Sequence, residues 1–227
     1  MKRAVILAIL TALTGCAHHN PDDDFVAAAA SLRPSVVLLT MDVPGQQKDN
    51  PDSEFATGTV VASGTWGSDI LTVEHALEHA WNIRVTIANK NKVPGRMIAQ
   101  NADLDVALVR IPRGKLPVVA LGKSADVVQG KSIGLLGYPI PDQFDDEGLG
   151  LATSLNSGRV SSLRDHAIEV TLPIVPGESG SPVFLSDTGE IIGIAESRFD
   201  EERSIGFALP IDDARAFLHK VDAAHGF

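Results

Sequence analysis

Three residues whose side chains together can perform nucleophilic catalysis stand in separate segments of the chain. Ser179 lies in the glycine-rich segment Gly177–Pro182, and His75 and Asp105 precede it. A serine hydroxyl is a poor nucleophile at neutral pH and needs a neighbouring base, which a carboxylate must orient. The order His, Asp, Ser is one of the known chain orders of such a triad. These residue types predict attack by Ser179 on a carbonyl carbon, with His75 as the base.

Gly177 begins a segment that must turn sharply around the serine. Glycine adopts backbone conformations that other residues rarely do, so Gly177 can direct its own N–H and that of Ser179 to one point. Converging donors of this kind stabilise the oxyanion of a tetrahedral intermediate. We therefore expect the backbone amides of Gly177 and Ser179 to form an oxyanion hole. The chemistry requires no metal and no cofactor, and we expect neither.

The carboxylate partner of His75 has two candidates. Asp103 and Asp105 are two residues apart, a spacing that puts both on one face of a strand. Spacing alone therefore leaves both candidates open.

Short β-strands are the elements expected to position these residues. Apolar, β-branched or alternating runs are separated by turn residues, without long helical patterns between them, which is typical of an all-β barrel or sandwich protein. The first set of runs is Val36–Leu39, Gly58–Ala62, Ile70–Val73, Ile83–Ile87 and Val106–Ile111. The second set is Ser132–Leu136, Gly158–Leu163, Ile168–Ile174, Ile191–Ile194 and Ile205–Leu209.

The segment Arg113–Pro117 divides the two sets and is expected to connect two β units, at about residues 34–112 and 118–210. After Pro210 the apolar residues recur at helical spacing, which predicts one C-terminal helix at about residues 211–222. The length of 227 residues allows one large or two small domains. A formal net charge of −10 would repel a phosphate backbone, so we expect no nucleic-acid partner.

The N-terminus, residues 1–15, is typical of a bacterial lipoprotein signal. Positive residues precede the apolar run Ala4–Leu13, which is followed by Cys16. This run is about half the length of roughly 20 residues that a membrane-spanning helix needs. We expect Cys16 to become the lipidated first residue of the mature chain, although an ordinary secretory signal with a chance cysteine is the alternative.

Residues 16–33 are expected to form a lipidated tether and a short N-terminal segment, with a possible helix at Phe25–Leu32. Ala17 is not the aspartate that commonly retains such proteins at the inner membrane. We therefore expect an exported, periplasmic protein anchored through Cys16, with the outer membrane as the preferred location.

Six segments, in order, resemble successive motifs of bacterial trypsin-like serine proteases, such as the HtrA-type enzymes and the glutamyl endopeptidases. The segments are Leu71–His75, Asp105–Leu108, Gly137–Pro139, Ser157–Val160, Gly177–Pro182 and Gly206–Pro210. The resemblance extends from about Val36 to Val221. It implies two six-stranded antiparallel β-barrels within a protease domain at residues 34–227, and protein or peptide substrates. It also selects Asp105 over Asp103, because an apolar run begins immediately after Asp105.

The resemblance further implies that Pro173, Ile174 and Ala195 flank the primary substrate pocket. None of the three carries a charge, so we expect cleavage after small or medium apolar residues. Glu196 follows Ala195 but points to the other side of a strand. HtrA-type proteases normally carry a PDZ module after the segment that ends at Pro210. Too few residues follow Pro210 here for such a module, so we expect none.

Two other interpretations remain. Glu178 stands where the relatives usually carry Asp or Asn, and Ser181 stands where HtrA-type proteases carry a second glycine, so the chain could be a catalytically inactive binding lipoprotein with this fold. His75, Glu78 and His79 also fit the zinc-protease motif H-x-x-E-H. That motif requires a long helix, whereas this segment follows a β-like run, and it leaves Ser179 unexplained. The sequence makes no prediction of the oligomeric state.

Overall fold

The strands of this chain form two β units joined by an irregular segment. The computed structural model describes residues 20–47, 50–87, 91–196 and 205–225. The first unit comprises β1 (Val36–Gln47), β2 (Asn50–Gly64), β3 (Gly67–Thr72), β4 (Trp81–Thr86), β5 (Lys92–Pro94), β6 (Arg96–Asn101) and β7 (Val106–Ile111). The second comprises β8 (Ser132–Gly137), β9 (Ser154–Arg164), β10 (Ala167–Val170), β11 (Pro182–Leu185), β12 (Ile191–Glu196) and β13 (Gly206–Pro210). The helices are α1 (Pro21–Leu32), α2 (Pro141–Asp146) and α3 (Ile211–His225).

The two units differ in closure. The first is a seven-stranded sheet in the order β5-β4-β1-β2-β3-β7-β6, and the second is a closed six-stranded barrel in the order β10-β13-β12-β11-β8-β9. One apolar cluster lies within the closed barrel, and a larger one fills the first unit and also includes residues of β8, β11, β12 and α3. Continuous apolar runs supply both clusters because they bury both faces of a strand. The all-β fold class is therefore confirmed, with a half-barrel followed by a closed barrel and a C-terminal helix.

The hairpin of β1 and β2 is longer than the sequence suggests. The polar stretch Pro44–Glu54 looks like a loop, yet most of it continues the two strands, with Met41 opposite Glu54 and Val43 opposite Asp52. Exposed polar residues are compatible with such a ribbon because its outer part does not need to bury a face. This hairpin brings Glu54 toward the site described below.

The β-pattern of the second unit also ends earlier than expected. Alternation predicts a strand up to Ile174, but β10 ends at Val170. Leu172 and Ile174 remain buried in an irregular segment, so their alternation reflects burial and not strand pairing.

Helix α1 begins at Pro21, inside the segment expected to be a tether. The side chain of Asn20 accepts a hydrogen bond from the Asp22 N–H (3.2 Å) and caps the helix. Acidic residues in the first turn interact favourably with the positive end of the helix dipole. Phe25 stacks on Phe184 with ring centroids 5.9 Å apart, which fixes α1 on the second unit.

The C-terminal helix α3 packs on β12 and β13 through Ala214, Phe217 and Val221. No helix in the described ranges is long and apolar enough to cross a bilayer. Cys16 and the N-terminal signal segment lie outside the described residues.

Candidate active site

His75 and Asp105 are brought together by the pairing of two neighbouring strands. Strand β3 ends at Thr72, shortly before His75, and β7 begins immediately after Asp105. The strands are antiparallel and pair Thr72 with Ala107, so the end of β3 and the start of β7 lie at the same edge of the sheet. His75 then begins a short 3₁₀ turn, anchored by buried Ala76 and Leu77.

The carboxylate of Asp105 accepts three hydrogen bonds from the segment that carries the histidine. One oxygen accepts from the backbone N–H groups of Glu74 (3.0 Å) and His75 (2.8 Å), and the other lies 2.7 Å from Nδ1 of His75. Asp105 has φ of 49°, a left-handed conformation that Asp tolerates better than most residues. The turn before β7 thus aims this carboxylate at His75, whereas Asp103 is exposed in the same turn.

The contact with Asp105 determines how the imidazole is protonated. A carboxylate only accepts hydrogen bonds, so in the neutral ring the proton resides on Nδ1 and Nε2 is left as the acceptor. The hydrogen bond to Asp105 raises the pKa of His75 above its ordinary value; burial opposes this, and the charges of Asp105, Glu54 and Glu196 add to the rise. The charges of three carboxylates therefore favour the protonated ring, and the contact of Nδ1 with Asp105 leaves Nε2 free to act as the base.

Ser179 lies in a tight loop that ends at β11 and is attached to both β units. Its carbonyl accepts a hydrogen bond from the Thr57 N–H of β2 (2.9 Å). The next residue, Gly180, donates to the carbonyl of Ala195 in β12 (2.9 Å). The serine is buried. These bonds hold the loop between β2 of the first unit and β12 of the second. Strand β2 is joined by a hairpin to β3, which leads to His75, and β12 is expected to border the substrate.

Gly180 permits this close approach to the first sheet. It has φ of 86°, and a Cβ there would lie 2.0 Å from the Thr57 carbonyl oxygen and 2.4 Å from Oγ1 of Thr72. Thr72 is three residues before His75 in the chain. The loop of Ser179 is therefore in contact with the same end of β3 from which His75 emerges.

The backbone amides of Gly177 and Ser179 have fixed orientations. In a trans peptide the N–H and C=O groups point in opposite directions. The Pro176 carbonyl accepts a hydrogen bond from the Ile140 N–H (2.7 Å), so the Gly177 N–H of the same peptide points away from Ile140. The Glu178 carbonyl accepts from the Ser181 N–H (3.0 Å), so the Ser179 N–H points away from Ser181. Within the described residues neither amide donates to another backbone oxygen. Both remain available to an anionic ligand.

Glu178 is a buried carboxyl inside this loop. One oxygen accepts from Nδ2 of Asn156 in β9 (3.1 Å) and the other from the Val175 N–H (3.1 Å). No described cationic side chain forms an ion pair with it. Burial raises the pKa of Glu178, and the bonds from Val175 and Asn156 offset part of that rise. The two hydrogen bonds of Glu178 thus stabilise the loop, whereas ionisation of its buried carboxyl costs free energy.

The three residues expected to border a substrate pocket have different environments. Ala195 is fully buried and Ile174 is nearly so, whereas Pro173 is exposed. Ile174 faces β13, since a Cβ on Gly206 would lie 2.9 Å from its Cδ1. Glu196, next to Ala195, is buried and contributes to the raised pKa of His75.

The geometry around His75 does not match the zinc motif. His75 starts a single 3₁₀ turn that ends at Leu77, and His79 is exposed with φ of 57°. The two histidines therefore do not share the face of a helix. Among the described residues no cluster of three metal-ligating side chains is present.

Several residues of the site are not evident from the sequence. Thr57, Asn156 and Glu54 look like ordinary strand or surface residues, because their partners are distant in the chain. The sequence gives no signal that singles out Thr57, because Thr57 and Thr59 are both threonines that flank Gly58.

A family model described as "Trypsin-like peptidase domain" matches residues 56–194. A probable DegP-like periplasmic serine endoprotease of Pseudomonas fluorescens is 32% identical over 175 residues, which cover 75% of this chain and 36% of that protein. Protease Do-like 1 of the Arabidopsis thaliana chloroplast is 29% identical over 160 residues, 63% of this chain and 34% of that protein. The chain thus spans about a third of the length of these relatives.

Solved structures agree with the fold. An HtrA-type protease, AlgW with a tripeptide, superposes with a TM-score of 0.72 at 22% identity, covering 89% of this chain and 64% of that one.

The buried carboxyl of Glu178 predicts a specific pH dependence of stability. Because its pKa is higher in the folded than in the unfolded state, folding is favoured while the group is protonated, and that contribution is lost as pH rises through the folded pKa. We expect the free energy of unfolding of Glu178→Gln, measured with urea from mildly acidic to mildly alkaline pH, to fall less with rising pH than that of the wild type.

The exposed Glu147→Gln is the matched control and should follow the wild-type profile. Parallel profiles for the wild type and Glu178→Gln would contradict the prediction.

Proposed function

Since the chain belongs to the family of trypsin-like peptidase domains, we propose that it is a serine endopeptidase whose catalytic residues are His75, Asp105 and Ser179. The observation that carries the proposal is the 2.7 Å contact of His75 Nδ1 with Asp105, next to a serine loop docked on the same end of β3. This pairing leaves Nε2 as the base on the side away from Asp105. No metal or cofactor takes part in the proposed reaction.

Acylation begins with attack of Ser179 Oγ on the carbonyl carbon of a peptide bond. His75 Nε2 accepts the hydroxyl proton, and Asp105 stabilises the imidazolium that forms. The N–H groups of Gly177 and Ser179 donate to the oxyanion of the tetrahedral intermediate. His75 then gives its proton to the leaving amine, and the C–N bond breaks. Water attacks the acyl-enzyme in the same manner and regenerates Ser179.

The extent of the catalytic unit and its pocket are part of the proposal. The protease domain comprises residues 34–227, with the substrate cleft between the two β units. Ile174 and Ala195 border the primary pocket, with Pro173 at its exposed side. Their uncharged side chains support a preference for small or medium apolar residues at the cleavage site.

We also propose a location in the bacterial envelope. A relative from Pseudomonas fluorescens is named as periplasmic, and residues 1–16 of this chain have the pattern of a lipoprotein signal. Lipid attached to Cys16 would tether the catalytic unit to a membrane, the outer membrane being the proposed one. Protein or peptide chains in that compartment would be its substrates.

A fluorophosphonate probe tests the nucleophile. We expect the probe to label the wild type and not Ser179→Ala, and the labelling rates of His75→Ala and Asp105→Asn to fall by roughly 100-fold or more, since the base and its orienting group are then missing. Labelling is followed by mass spectrometry of the modified peptide. Absence of labelling in folded wild type would favour the inactive binding protein, and equal rates in all variants would exclude the triad.

The carboxylates near His75 predict the pH profile. A base must be neutral, so activity is lost as pH falls through the raised pKa of His75. Glu54 contributes to that rise, and we expect Glu54→Gln to move the acidic limb of kcat/KM to lower pH. Glu78→Gln is the control, because Glu78 is exposed and contacts His79 instead. An acidic limb that moves with Glu78 and not with Glu54 would refute this assignment.

A peptide-library digest measures the primary specificity. We expect most cleavage after small or medium apolar residues, because no charged side chain is proposed for the pocket wall. Enlarging the wall with Ala195→Val should reduce cleavage after the larger of these residues. Dominant cleavage after Arg, Lys or Glu would show that the pocket residues are assigned incorrectly.

A further inference from the structure

We propose that Thr57 is a positioning residue for the reaction, and that its hydroxyl group holds the oxyanion-hole loop in the conformation that catalysis requires. The inference rests on the serine-endopeptidase function proposed above. Thr57 does not touch the reacting atoms. It acts through Gly177 and Ser179, whose amides are the proposed oxyanion donors.

All polar groups of Thr57 are engaged at the boundary between the two β units. Its hydroxyl donates to the Gly177 carbonyl (2.7 Å) and accepts from the Tyr138 N–H (3.0 Å). Its N–H donates to the Ser179 carbonyl (2.9 Å), and its own carbonyl accepts from Oγ1 of Thr72 (2.8 Å). The side chain is fully buried. One residue of β2 is therefore bonded to both ends of the nucleophile loop.

The bond to the Gly177 carbonyl restrains a residue that cannot restrain itself. Gly177 has φ of 91°, in a region that glycine enters and leaves at little cost. The Ile140 N–H holds the peptide on its N-terminal side through Pro176, and the Thr57 hydroxyl holds the peptide on its C-terminal side. With both peptides held, the Gly177 N–H has one orientation. The N–H of the C-terminal peptide is also bonded, from Glu178 to the Val175 carbonyl (3.0 Å), so loss of the Thr57 bond removes one of two restraints on that peptide. The glycine can then leave the orientation that directs its N–H at the oxyanion.

A hydroxyl is the group this position requires. Oγ1 must donate to a carbonyl and accept from an N–H at the same time, which a hydroxyl can do and a methyl group cannot. Thr57→Val keeps the size and β-branching of the side chain but leaves Gly177 C=O and Tyr138 N–H unsatisfied in a buried place. Thr57→Ser keeps both hydrogen bonds.

Thr59 provides a matched control on the same strand. It is two residues from Thr57, so both side chains lie on one face of β2, and it is also fully buried. Its Oγ1 has no hydrogen-bond partner within the described part of the chain. Thr59→Val therefore makes the same chemical change at the same depth without breaking a hydrogen bond to the loop.

The test compares kcat, KM and inhibition by a peptide aldehyde in the wild type, Thr57→Val, Thr57→Ser and Thr59→Val. An aldehyde forms a tetrahedral adduct with the serine and needs the oxyanion hole, whereas KM reports mainly on peptide contacts elsewhere when chemistry is slow. We expect Thr57→Val to lower kcat by roughly 10- to 100-fold, which is at most similar to the effect of removing a whole oxyanion donor. Inhibition by the aldehyde should weaken by a similar factor, and KM should change little. Thr57→Ser should restore most of both quantities, and Thr59→Val should leave both unchanged.

Three results would overturn the inference. The first is an unchanged kcat in folded Thr57→Val, and the second is an equal decrease of kcat in Thr57→Val and Thr59→Val. The third is a higher KM and a lower thermal stability of Thr57→Val without weaker aldehyde inhibition. The last result would make Thr57 a structural contact only. If Thr57→Val does not fold, Thr57→Cys carries the same test, because a thiol is a much weaker donor and acceptor than a hydroxyl. Unchanged kcat in Thr57→Cys would also refute the role.

Probe labelling separates this inference from the function on which it rests. Failure of the folded wild type to label at Ser179 would refute the endopeptidase itself. Labelling of the wild type together with equal labelling rates in Thr57→Val and Thr59→Val would refute only the role of Thr57.

Discussion

The geometry of the site depends on hydrogen bonds that cross from one β unit to the other. His75 and Asp105 belong to the first unit and Ser179 to the second, so their relative positions depend on how the two units contact each other. An apolar cluster that contains residues of both units brings them together, and the bonds from Thr57 to the Gly177 and Ser179 carbonyls fix the position of the serine loop on β2. They lie in a fully buried place, where hydrogen bonds have defined geometry and unsatisfied groups are costly. The serine loop therefore has one favourable way to dock on the first sheet.

The close approach needed for these bonds explains the glycines around the loop. A Cβ on Gly177 would lie 2.3 Å from the Tyr138 carbonyl oxygen, and one on Gly180 would lie 2.0 Å from that of Thr57. Both residues also have positive φ, which only glycine adopts without strain. The glycines thus do more than permit a turn. They allow two backbones to approach closely enough for the crossing hydrogen bonds to form.

Sequence patterns predict the local parts of this arrangement and miss its long-range parts. Continuous apolar runs identify most strands because burial of both faces leaves a strong signal, and the end of β3 and the start of β7 follow from them. Polar residues on an exposed hairpin leave a weaker signal, so Pro44–Glu54 looks like a loop. The bond of Glu178 to Asn156 joins residues 22 positions apart, and that of Thr57 to Gly177 joins residues 120 apart. No spacing rule contains such pairs, since the first exists only once the second unit has folded and the other only once the two units have packed.

The two unusual residues of the serine loop are each accommodated in space by a neighbour, although the buried Ser181 hydroxyl has no hydrogen-bond partner among the described residues. Ser181 is fully buried, and a Cβ on Gly137 of β8 would lie 2.1 Å from its Oγ, so the side chain at 181 occupies the space that a side chain at 137 would take. The additional methylene of Glu178 relative to Asp is accommodated because Asn156 and the Val175 N–H receive its two oxygens. Neither residue displaces the amides of Gly177 and Ser179, whose orientations are held by Ile140 and by Ser181 itself. Both departures change how the loop is supported, and neither removes a group that the proposed peptide hydrolysis requires.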